Sequence, residues 1–244
     1  NCYQYGQGVE QNDEEMIKWF RLAAHQGRVD AQTSLGICYH RGVGVEQNHG
    51  EAVKWFRLAA EQGSTDAQYI LAYCYYTGEG VEHNYGEAVR LYRLAAHQGH
   101  AHAQNMLGQC HEDGYGVEKD YEEAAKWYQL AAKQGHAVAQ YNLGDCHYNG
   151  KGVERNFEEA VNWFRLAAEQ GDAEAQTFLG GCYEDGKGVE QNSGEAVKWW
   201  RLAADQGNAF AQIYLGACYK HGKGVEQNDE EAEKWFRLAA EQRK

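Results

Sequence analysis

The chain has 244 residues, 43% hydrophobic and 13% aromatic, enough to bury a sizeable core. Its 23 Lys and Arg stand against 36 Asp and Glu, a net charge of −13, which argues against nucleic acid or an anionic membrane surface as main partner. No run approaches the roughly 18 consecutive apolar residues of a membrane-spanning helix, and the absence of proline suits helices joined by glycine turns.

Internal repetition governs everything else. Cys2, Cys38, Cys74, Cys110, Cys146, Cys182 and Cys218 recur at one fixed step, and Val9, Val45, Val81, Val117, Val153, Val189 and Val225 keep it too. Residues 1–27 form a partial unit; full units follow at 28–63, 64–99, 100–135, 136–171, 172–207 and 208–244. No linker composition interrupts them, so the reading is one continuous array.

In the first full unit Ala31, Leu35, Cys38 and Tyr39 recur at helical spacing and predict helix A. Gly42 and Gly44 then break the chain in a tight turn. Asn48, with Glu51 three residues on, has the form of a capping box. The box repeats from Asn12 and Glu15 to Asn228 and Glu231, with Asp120 as the cap in one unit. Ala52, Trp55, Phe56, Ala59 and Ala60 predict the buried stripe of helix B, and Gly63 its left-handed stop. Ser64, Asp172 and Asn208 are natural caps for the next helix A. Small residues at Ala31, Gly36, Ala59 and Ala60 predict close helix approach, and the pair at 55 and 56 is expected to fill the space between units. Gln32 and its equivalents are expected to tie helix A to a neighbouring backbone. One helix pair cannot bury such a face alone, so the fold class is an all-α, superhelical α/α solenoid of helix–turn–helix repeats.

The patterns A-x-A-Q-x-x-L-G, Y-x-x-G-x-G-V and A-x-x-W-x-x-x-A-A-x-Q-G resemble the Sel1-like repeat, a relative of the tetratricopeptide repeat. The resemblance covers the whole chain. It implies a right-handed superhelix that acts as an adaptor and binds partners. One branch of that family carries two disulfide-linked cysteines per unit, whereas this sequence has one.

The cysteines read as small buried apolar residues rather than disulfides or metal ligands, because equivalent helices about 8–10 Å apart exceed disulfide reach. No C-x-x-C pair occurs. Unpaired thiols favour a reducing, cytoplasmic setting. His97, His100 and His102 cluster at a unit junction and read as loop and cap residues, not a metal site. The glycine turns lack the order of a phosphate loop. No catalytic set stands out, and no cofactor or metal is assigned.

Function is then expected where the units differ, on the helix A face opposite the buried stripe. The early units offer Ile37, Arg41, Tyr69, Ile70, Tyr73 and Tyr76. The middle offers Asn105, Gln109, Glu112, Asp113, Tyr141, Asp145 and Asn149. The last units offer Phe178, Glu184, Asp185, Tyr214 and His221. Aromatics beside carboxylates suit a basic or amphipathic peptide or protein segment. The alternative is a small molecule or glycan fragment stacked on the tyrosines. The array opens part-way through a helix A, and that uncapped face is a candidate for self-association.

Overall fold

A computed structural model describes residues 13–242. Cys2, Val9 and the Asn12 cap lie outside the described residues. The described residues form thirteen helices and no strand. Two compact units divide between Asp120 and Tyr121.

Unit 1 holds α1 (Asp13–His25), α2 (Val29–Arg41), α3 (His49–Glu61), α4 (Thr65–Thr77), α5 (Tyr85–His97) and α6 (Ala101–Asp113). Unit 2 holds α7 (Tyr121–Lys133), α8 (Ala137–Asn149), α9 (Phe157–Glu169), α10 (Ala173–Asp185), α11 (Ser193–Asp205), α12 (Ala209–His221) and α13 (Asp229–Glu241). Within each unit, every helix packs on the next in sequence.

Each helix A ends on a left-handed glycine, as at Gly42 (φ 72°). Gly44, also at positive φ, sits so close to α1 that a Cβ there would lie 2.6 Å from the Asp13 carbonyl oxygen. The turn is therefore both a reversal and a contact with the preceding repeat.

Asn48, Asn84, Asn156, Asn192 and Asn228 each cap a helix B by accepting from the N–H three residues on. The capping box is only half made. The Asn48 N–H donates to the Tyr39 carbonyl of helix A, 2.8 Å away, rather than to Glu51. Glu51 instead pairs with Lys54 at 2.6 Å. The cap thus fastens helix B to helix A. Ser64, Asp172 and Asn208 cap the helices expected of them, and His100 joins them by accepting from the Ala103 N–H.

Of the stripe expected on helix B, Ala52, Phe56, Ala59 and Ala60 are buried and Trp55 is half-buried. Phe56, Tyr92, Tyr128, Phe164 and Trp200 are buried, whereas Trp55, Trp163 and Trp199 are half-buried and Trp19 is 56% exposed. At 235 and 236 the order reverses, with Trp235 buried and Phe236 39% exposed, and Leu91 and Trp127 are buried beside their neighbours. The ring at the core position presses on helix A where that helix is smallest: a Cβ on Gly36 would meet Phe56 at 2.6 Å, and one on Gly144 would meet Phe164 at 2.6 Å.

Glutamines link successive helices. Gln32 Nε2 donates to the Ala24 carbonyl of α1, and its Oε1 accepts from Gln62 at the end of α3. Gln68 with Gln98 repeats this in unit 1; Gln140 with Gln170 and Gln176 with Gln206 repeat it in unit 2. All six described helix A glutamines are buried, and this network satisfies groups that burial would otherwise leave bare.

Cys38, Cys74, Cys110, Cys146, Cys182 and Cys218 are buried, and none forms a disulfide. Burial pushes the thiols of Cys74, Cys110 and Cys182 up to about 12, and that of Cys218 up to about 11. An unfolded thiol ionises near 9.0. Above that pH the unfolded chain holds fewer protons than the folded one, so stability is complete below it and falls as pH rises towards the folded values. Urea midpoints are expected to be level through neutrality and to drop between the two thiol ranges. Replacing Cys74, Cys110 and Cys182 with alanine should flatten that slope.

Candidate functional site

In unit 2 the exposed faces of α8, α10 and α12 enclose a concavity of about 470 Å³. Its walls are aromatic: Tyr148, Phe178, Trp200, Phe210 and Tyr214. Glu174, Thr177, Glu184 and Asp185 supply the polar rim. Gly181 lines it too, at the position where Ile37, Tyr73, Gln109 and Asp145 stand in other repeats. A Cβ on Gly181 would meet nothing within 4 Å. The hollow exists because a side chain is missing where other repeats have one.

The rings are held by one another and by the core. Phe178 lies 5.5 Å from Phe164 and 5.6 Å from Tyr141, centroid to centroid. Trp200 stands 5.1 Å from Tyr214 and donates its indole N–H to the Thr177 carbonyl. Tyr214 and Phe210 remain 44% and 59% exposed. The result is a pre-formed apolar surface open to solvent, with few polar groups at its edge.

The carboxylates of this face are engaged within the chain. Asp185 pairs with Lys187 at 2.9 Å, Asp145 with Lys151 at 3.2 Å, and Glu184 with Lys223. Lys187 also donates to the Tyr148 hydroxyl, and these partners raise its pKa. Asn149 donates to Asp145 at 2.6 Å.

Of the residues expected on this face, Phe178, Glu184, Asp185 and Tyr214 line the one hollow. Tyr141 backs it through Phe178, while His221 is exposed and does not line it. In unit 1, Ile37 and Arg41 border a separate hollow of about 220 Å³ with Met16, Phe20 and Val43. Tyr69 is half-buried and stacks on His100 at 4.7 Å. Burial, then Tyr73, raises its pKa. Tyr76 packs on Tyr85 and Tyr115, and its pKa is pushed up to about 12, chiefly by burial. Ile70 and Gln109 are half-buried, and Tyr73 and Asp113 are exposed. Asn105, expected on the open face, is buried instead, because its position lies at the edge of the core stripe.

The Sel1 repeat profile matches residues 1–27, 29–64, 65–100, 101–136, 137–172, 173–208 and 209–243. The chain belongs to the Sel1 repeat family. A protective antigen present in uropathogenic Escherichia coli strains, with an SLR fold, is 38% identical at a TM-score of 0.91, covering 99% of this chain and 52% of that one. The chain therefore spans about half the length of that antigen. A Sel1 repeat protein from Oxalobacter formigenes is 35% identical at a TM-score of 0.87, covering 98% of this chain and 93% of that one. No curated protein matches the sequence significantly. The fold is accordingly an all-α repeat solenoid, and Sel1 repeat proteins are generally non-enzymatic scaffolds for protein interaction.

Six of the residues that line the unit 2 hollow lie outside the expected set, Gly181, Trp200 and Phe210 among them. Phe210 occupies a position that is exposed in every described helix A, and its size was the available signal. Trp200 belongs to the core series of helix B, and only its packing on Tyr214 shows that one edge reaches the hollow.

Proposed function

We propose that this chain is an interaction scaffold whose unit 2 takes an apolar or aromatic side chain of an amphipathic peptide segment into the hollow over Gly181. The observation that carries this reading is the solvent-open aromatic concavity left by the absent side chain. Buried aromatic anchors in preformed pockets supply most of the energy of such contacts. A Lys or Arg of the partner beside the anchor would exchange with Lys187 or Lys223 for Asp185 and Glu184. Exposed pairs of this kind contribute little to affinity, so the cation selects the partner and the anchor holds it.

Peptides selected from a display library on the full chain test this. The expected consensus is one bulky apolar residue next to a basic one, with binding confirmed by calorimetry. If no peptide is enriched and cell-wall fragments bind instead, the stacked rings serve a glycan and the peptide reading fails.

A further inference from the structure

Three segments of unit 1 bring His40, His49 and Glu79 together. His40 lies in the last turn of α2, His49 is the first residue of α3, and Glu79 stands in the turn after α4. Their ligating atoms all lie within 4.8 Å of one another, and this is the one such group among the described residues. His97, His100 and His102 do not form one.

We propose that His40, His49 and Glu79 bind a Zn2+ ion, leaving a fourth coordination place open to water or to a ligand from a partner.

Two of the three donor spacings match the ion, and the third lies within 4.8 Å. The two Nδ1 atoms are 3.3 Å apart, and His49 Nδ1 is 3.1 Å from Glu79 Oε1. Tetrahedral zinc with bonds of about 2.0–2.1 Å sets its donors about 3.3 Å apart. Two imidazoles and a carboxylate are a borderline donor set that suits zinc. Calcium and magnesium ask for oxygen ligands throughout. The three groups are neither sealed nor fully hydrated: His49 and Glu79 side chains are 33% and 34% exposed.

The backbone fixes two of the ligands. A Cβ on Gly80 would lie 2.8 Å from His49 Cβ, so the bare glycine lets the turn carrying Glu79 settle directly on His49. Gln47 holds the His40 carbonyl at 2.9 Å.

The repeat itself shows that this junction is built by the fold and filled by choice. One repeat on, the same three places hold Tyr76, Tyr85 and Tyr115, whose rings meet one another, Tyr85 stacked on Tyr115 and Tyr76 edge-on to both. In unit 2 they hold Tyr148, Phe157 and Lys187 in ring and cation contacts, and Lys223 pairs with Glu184 beside Ser193. The convergence is therefore structural, and unit 1 places three metal-ligating side chains in it. A shared proton between the imidazoles and the carboxylate would give similar distances, and metal titration separates the two.

Zn2+ alone is titrated into the full chain by calorimetry. Three variants borrow residues that the chain uses at the same places: His40→Tyr, His49→Phe and Glu79→Lys. The expected result is one Zn2+ per wild-type chain. Each swap should weaken it by on the order of 100-fold, because losing even an outer partner of a metal ligand costs up to about that much. The double change His97→Gln with His102→Gln should leave affinity unaltered. Co2+ in the wild type should give the intense visible absorption of a four-coordinate site. No binding by the wild type, or binding that survives the three swaps, overturns the site.

Discussion

Replacing Phe164 with alanine is expected to lower the stability of unit 2 by about 3–5 kcal/mol, the usual cost of emptying a buried phenylalanine site. Phe164 is 0% exposed and touches three other rings, those of Tyr141, Tyr148 and Phe178. It also sits against Gly144, which has no side chain to swing into the void. The neighbouring Trp163→Ala should cost far less, although the residue is larger. Its indole is half-buried and its main polar tie is one 3.1 Å bond to Glu159. Urea unfolding of both variants measures the difference. If the tryptophan change proves the more damaging, the assignment of core and flank positions on helix B is wrong. Because Phe178 rests on Phe164, the same change should also loosen one wall of the hollow.

Gly181→Leu is expected to abolish binding at unit 2 while leaving the protein at least as stable. Gly181 lies inside α10 and has a helical backbone, so a leucine there gains helix propensity worth roughly 0.5–1 kcal/mol. Its side chain enters open space and occupies the volume proposed for the partner's anchor. A peptide selected on the wild type should lose on the order of 100-fold in affinity, since hot-spot contacts carry about 2 kcal/mol or more. Calorimetry with the same peptide reads the loss, and thermal unfolding shows that the fold is intact. Unchanged affinity would remove the hollow from the binding surface.

Much of the architecture was legible because it recurs. The turn glycines, the asparagine caps and the helix A stripe answer to the same local physics in every repeat. The half-burial of Trp55 on helix B has a simple origin. Positions 55 and 56 both suit a helical stripe anchored by Ala52 and Ala59, so periodicity alone does not separate them. Packing favours the ring that fits against a glycine. Phe178, Tyr214 and Asp185 were readable as exposed variations on a fixed template. Gly181 was not, because an absent side chain gives no signal in a search for large or charged ones. His40, His49 and Glu79 follow no known ligand spacing. They meet only once two turns and a neighbouring repeat have folded.

The buried glutamines carry a further consequence for how the protein comes apart. Each one belongs to two junctions at once, since Gln176 holds the Ala168 carbonyl before it and receives Gln206 after it. Opening one junction strips a partner from a buried amide that the next junction also needs. Local opening in one repeat therefore raises the free energy of the neighbouring junction rather than staying confined. Amide hydrogen exchange within unit 2 should then show neighbouring helix pairs sharing a common protection level, and the aromatic hollow, spread over three such pairs, inherits that shared rigidity.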